Sequence, residues 1–211
     1  MKPIESNACN VALVGAVGTG KTTLAQNLVL PLKLMDMDAV FVPEPARVFI
    51  RRSGPYQHYL EDFPIFLETV QQEEEMQIHD FLIYDSASFA PAAYMQYYKP
   101  KDLGADEERK WEYCYRLMHG LARDRVSRFD QVFFVPSGKF PVQQDPNRPW
   151  NTEESKRMSS ILQAFLDANG VEYYEIQSLT LEERLSEALT VLKDKGLIPK
   201  MPPRIKTYRP D

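Results

Sequence analysis

The sequence predicts an α/β fold: one five-stranded parallel sheet with helices on both faces and a lid loop at one edge. Three observations predict it. Five short apolar runs, each four to six residues long and bounded by breakers, have strand character. Between them lie longer segments whose apolar residues recur at helical spacing. The first run enters the first helix through a glycine-rich turn, Gly15-Ala16-Val17-Gly18-Thr19-Gly20-Lys21-Thr22. Strands alternating with helices favour a parallel sheet, because each parallel pair needs a crossover and that crossover is right-handed.

In chain order, residues 10–14 form the first strand and residues 23–30 continue the first helix, with Leu24, Leu28 and Val29 on one stripe. Residues 39–42 are the second strand, and a helix starts near Pro45, a residue suited to the first helical turn. Residues 63–80 carry Phe66 and Val70 at helical steps. The third strand, residues 81–84, ends on Asp85, and a helix is expected over residues 86–97. Residues 105–129 are long and charged, with Trp111, Tyr115, Met118 and Ala122 on one side. The fourth strand spans residues 131–135. Thr152-Glu153-Glu154-Ser155 then opens a helix over residues 152–168, with its acids in the first turn and Met158, Ile161, Leu162, Phe165 and Leu166 as its face. Residues 171–176 are the fifth strand. The last helix, residues 181–195, has Thr180 as its N-cap and stops at Gly196. Residues 1–198 are read as one domain, and residues 199–211 as a Pro-rich basic tail.

The glycine turn matches G-x-x-x-x-G-K-[ST] in the strand-to-helix setting that its chemistry needs. Glycines let backbone N–H groups converge on polyphosphate oxygens, and the helix N-terminus adds partial positive charge. Lys21 is the cation for the β and γ phosphates, and the Thr22 hydroxyl is a ligand for Mg²⁺. Gly15, Gly18, Thr19, Gly20, Lys21, Thr22 and Thr23 are therefore the expected nucleotide contacts, with a nucleoside triphosphate as ligand.

In a sheet of this kind, ligands gather at the carboxyl ends of the strands. Two acids stand there, Glu44 after the second strand and Asp85 after the third. Phosphoryl transfer asks for neutralised charge and a carboxylate that positions the attacking hydroxyl or holds the metal. Either acid fits the first role, and Asp85 with Thr22 fits the second. Each also reads as a helix-terminus residue with no chemistry. Residues 137–151 form a long, polar, proline-broken connection after the fourth strand, as a lid that excludes water does. Arg148 is its expected phosphate-facing cation, with Lys156 and Arg157 behind it. Arg47, Arg51 and Arg52 are candidates to line an acceptor pocket. Phe89, Tyr94, Tyr97 and Tyr98 are candidates to stack on a planar base, although such a stripe also serves a core.

Composition narrows the class. The chain has 211 residues and a net charge of −5, so no broad electrostatic hold on nucleic acid is expected. Cys9 and Cys114 make neither a zinc site nor a disulfide framework, and His58, His79 and His119 are scattered. No apolar run reaches the length of a membrane span, and the start lacks a signal-peptide layout, so a soluble cytoplasmic protein is expected.

Together these pieces resemble the nicotinamide riboside kinase domain, a small P-loop kinase related to the deoxynucleoside kinases. The resemblance runs in order from residue 10 to residue 195. It is carried by the glycine loop, Glu44-Pro45-Ala46-Arg47, Tyr84-Asp85-Ser86, the aromatic helix end from Tyr94 to Tyr98, and the segment from Val142 to Arg148. The family's lid reads Asp-Gly-x-Arg, whereas this chain has Asp145-Pro146-Asn147-Arg148. The resemblance implies a P-loop kinase fold, ATP and Mg²⁺ as cofactors, and a nucleoside-like acceptor, ribosylnicotinamide. Lys21, Glu44, Asp85 and Arg148 are then the catalytic set, with Glu44 or Asp85 as the base. Two other readings stand beside it: a phage-type kinase acting on a hydroxymethylated base in DNA, and a nucleotide-controlled binding module. The sequence does not specify an oligomeric state.

Overall fold

The structure, a computed structural model, describes residues 8–54, 62–139 and 151–202. Its strands are β1 (Cys9–Val14), β2 (Ala39–Val42), β3 (Phe81–Asp85), β4 (Gln131–Phe134) and β5 (Tyr173–Glu175). Its helices are α1 (Lys21–Lys33), α2 (Pro45–Ser53), α3 (Asp62–Glu75), α4 (Ala90–Tyr97), α5 (Ala105–Arg125), α6 (Thr152–Ala168) and α7 (Leu181–Asp194).

All ladders are parallel, and the strand order is β2-β3-β1-β4-β5. The chain leaves β1 toward one edge and later crosses to the other. The carboxyl end of β1 is therefore the switch point, the place where such sheets bind ligands. Register levels the ends there, with Leu13 beside both Asp85 and Phe133. The loop after β1 and the acid that closes β3 are neighbours by construction.

Alternation along each strand feeds two cores. Val11, Leu13, Ile83 and Phe133 pack with Leu24, Leu28 and Leu32 of α1 and with Leu185, Leu189 and Leu192 of α7. Ala12, Val14, Leu82, Tyr84 and Phe134 face the other way, against Phe66, Phe89, Met118, Met158 and Leu162. Every β1 residue after Cys9 is buried, as a central parallel strand requires.

The expected elements are present, with shifts at their ends. The helix expected from Ser86 begins only at Ala90, after a turn in which Ser86 takes a φ of 79°. The 105–129 segment ends its α-helix at Arg125 and closes with a 3-10 turn, Val126–Arg128. The α6 cap is Asn151 rather than Thr152: Asn151 Oδ1 accepts from the Glu154 N–H and Glu154 answers at the Asn151 N–H. Thr180 caps α7 in the same reciprocal way, with Glu183. No helix among the described residues is long and apolar enough to cross a membrane.

Candidate active site

The glycine loop lies where β1 delivers it, against β4. A Cβ at Gly15 would sit 2.3 Å from the Val135 carbonyl oxygen, so only glycine lets the loop leave the sheet here. Gly15→Ala is expected to cost about 1–3 kcal/mol. A lower urea midpoint at unchanged slope reads that loss; an unchanged midpoint would mean that the junction yields freely.

Lys21 is only 8% exposed, and its Nζ donates to the Ala16 carbonyl at 2.8 Å. The Thr19 hydroxyl donates to the same oxygen at 2.9 Å. The ammonium is thus already folded over the loop. Gly20, at a φ of 84°, is the N-cap of α1 and supplies no side-chain cap, which leaves the helix N-terminus open to an anion.

Asp85 meets the loop from β3. Its Oδ2 accepts from the Thr22 hydroxyl at 2.5 Å, and it is 3% exposed. Burial, and next the negative charge of Glu44, push its carboxyl above the ordinary range; Lys21, the Thr22 hydroxyl and Arg47 pull the other way. Its Oδ1 is buried without a hydrogen-bond partner among the described residues. An acceptor-only oxygen beside a hydroxyl suits a hard cation such as Mg²⁺, which keeps several waters and takes few protein ligands. Among the described residues no cluster of three or more His, Cys, Asp or Glu could form a cage by itself. Thr22 and Asp85 together fit a metal that would arrive with phosphate. Asp85 does not cap α4, whose N-cap is Phe89.

Glu44 is buried at the N-cap position of α2, yet its side chain makes no cap hydrogen bond. It instead lines a cleft of about 400 Å³, measured with its open mouth, between α2, α3 and α4. Opposite stand Tyr94 and Tyr98, stacked with centroids 6.4 Å apart, and Asp62 and Ser86 share the lining. Phe89 belongs to the core and does not line this cleft, nor does Tyr97, which instead carries the Arg157 guanidinium 5.0 Å from its ring centre. Helical spacing put all four aromatics on a stripe; packing of α4 divides them between core, cleft and surface.

Neighbouring elements hold these parts in place. Glu73, fully inside α3, accepts from the Ser88 N–H at 2.8 Å and pairs with Arg125 at 2.9 Å. This fixes the 86–89 turn beneath the cleft, and burial keeps the Glu73 carboxyl above its ordinary range despite Arg125. Ser155 of α6 donates to the Val17 carbonyl at 3.0 Å, and Arg184 of α7 donates to the Thr19 carbonyl at 3.1 Å. Neither residue carries a sequence signal, because each reaches the loop from more than 130 positions away.

The other basic candidates lie apart. Arg51 and Arg52 are exposed, and Lys156 pairs with Glu153. Arg148 and residues 140–150 lie outside the described residues, as does the tail from residue 203. The described ends of the expected lid are anchored: the Ser137 hydroxyl donates to Ser155 and Lys139 reaches Glu175.

A family profile described as an AAA domain matches residues 10–184. No curated protein matches the sequence. Among solved structures, the fold is similar to NadR protein in complex with NAD and AMP-PNP, at 18% identity and a TM-score of 0.68, over 97% of this chain and 52% of that one. NadR protein in complex with NR is matched at 18% and 0.70, over 96% and 53%. Deoxyadenosine kinase from M. mycoides with bound dATP is matched at 13% and 0.65, over 87% and 99%. At such identities the likeness is one of fold, and the chain spans about half the length of the NadR structures it matches.

Proposed function

The chain belongs to the AAA domain family, and we propose that it is an ATP-dependent kinase that moves the γ-phosphate to a hydroxyl of a nucleoside-like molecule. The observation that carries this reading is the pairing of Thr22 with Asp85 at the loop end, one side chain away from a cleft that Glu44 enters. The loop end and the cleft lined by Glu44 thus share a border. The fold neighbours point the same way: their structures hold AMP-PNP, NR and dATP.

In this reading the two acids divide the work. Asp85 already engages the Thr22 hydroxyl and keeps one oxygen for a cation, so it serves the phosphate side. Glu44 lines the cleft and serves the acceptor, accepting its hydroxyl proton as the oxygen attacks in line. Lys21 turns from the Ala16 carbonyl to the phosphates. Mg²⁺, when bound, neutralises charge on the transferring group. Gly15, Gly18, Thr19, Gly20 and Thr23 complete the nucleotide contacts, and Tyr94 and Tyr98 offer faces to a planar base. Arg148 joins them as the lid cation on the sequence resemblance alone.

A panel of nucleosides, nucleotides and hydroxymethylated duplex DNA, scored by acceptor-dependent ADP release, tests the reading. A nucleoside or close analogue should stimulate release. Stimulation by DNA alone would replace this reading with the polymer one. The Glu44 cleft lies beside the loop, where an acceptor would sit, and a net charge of −5 offers no broad hold on a duplex.

A further inference from the structure

A phosphate cradle works only if the loop's N–H groups all turn inward. Peptide units are planar, and no cis bond occurs among the described residues, so each carbonyl points opposite to the N–H that follows it. Pinning a carbonyl outward therefore aims the next N–H inward. Two loop carbonyls are pinned by side chains from outside the loop. Ser155 holds Val17, and Arg184 holds Thr19.

Arg184 is the more elaborate of the two. It is 6% exposed at the start of α7, and its Nε donates to the Ser178 carbonyl at 3.1 Å while Nη1 donates to Thr19 at 3.1 Å. One rigid guanidinium thus spans the β5–α7 connection and the phosphate loop. Gly20 admits it: a Cβ there would lie 3.1 Å from Nη1. The Gly20 N–H, opposite the Thr19 carbonyl, is the group whose direction this contact fixes.

We propose that Arg184 is a positioning residue for nucleotide binding, holding the Thr19 carbonyl outward so that the Gly20 N–H faces the phosphates. The proposal rests on the glycine loop being a phosphate cradle. Methionine at 184 fills the space with no donor, and lysine reaches one carbonyl but not two. With Mg²⁺ present, AMP-PNP affinity measured by titration calorimetry on folded protein should fall about tenfold in Arg184→Met and a few-fold in Arg184→Lys. Thermal melts of the same samples, without nucleotide, fix the temperature at which each is fully folded. A residue that only joined α7 to the sheet would lower the melting temperature and leave affinity alone. Wild-type affinity in folded Arg184→Met overturns the proposal; if that variant does not fold, wild-type affinity in Arg184→Lys does so. Failure of the unmodified protein to bind AMP-PNP overturns the cradle reading, and this proposal with it.

Discussion

Lys21→Ala is expected to lose phosphoryl transfer by about a thousandfold while the protein stays folded. The structure explains why the two effects separate. Without nucleotide, the Lys21 ammonium donates to the Ala16 carbonyl, and that oxygen keeps the Thr19 hydroxyl as a second donor. Truncation leaves no stranded carbonyl at Ala16, so losing that one hydrogen bond costs about 1 kcal/mol. The transition state loses a fixed cation close to the phosphates, one that is itself only 8% exposed. Turnover at saturating ATP, set against a thermal melt, checks both halves. Wild-type turnover would remove Lys21 from the phosphate site.

Asp85→Asn should cut kcat far more than nucleotide affinity, and it should make the nucleotide-free protein more stable. Asparagine can still accept from Thr22, but it brings no charge to a cation. Stability moves the other way because burial and Glu44 raise the Asp85 carboxyl. The folded chain then keeps a proton that the unfolded chain has released above its ordinary value of 3.8. Folding stability therefore falls as pH rises from there toward the raised folded value, and stays lowered at neutral pH. The variant escapes that loss. Its melting temperature should exceed the wild type's at pH 7, with the gap closing as pH falls toward 3.8. Near-normal kcat would reduce Asp85 to a structural partner of Thr22. The expected trade of stability for activity marks groups held ready for a ligand.

The parts legible in the sequence are those set by local pattern. β1 through β5, the loop and both acids follow from short apolar runs, a fixed glycine spacing and the position just past a strand. Thr180 was legible as a cap because a threonine stands directly before the helical run, and the structure adds Glu183 as its reciprocal partner. At α6 two good caps stand side by side, and the choice fell to Asn151 through backbone geometry that no residue type shows. The left-handed Ser86 lay beyond pattern too: serine gives no warning of a positive φ, and the strain is held by the turn under Glu73. Asp62, fully buried in the cleft wall, carries no motif that would single it out in the sequence. Arg184 sat among the charges of an amphipathic helix, and only the return of α7 past the loop gives it a purpose. Contacts made across more than 100 residues are tertiary facts, and periodicity is silent about them.

Single-turnover tracking of γ-labelled ATP, with enzyme in excess and the most stimulating nucleoside present, tests the central claim most directly. The label should leave ATP and appear on the nucleoside, one for one, with little released as inorganic phosphate. Label found only as inorganic phosphate, at a rate the nucleoside does not change, would contradict the account. The site would then hydrolyse nucleotide to operate a switch, with the cleft between Glu44 and Tyr94 serving something other than an acceptor.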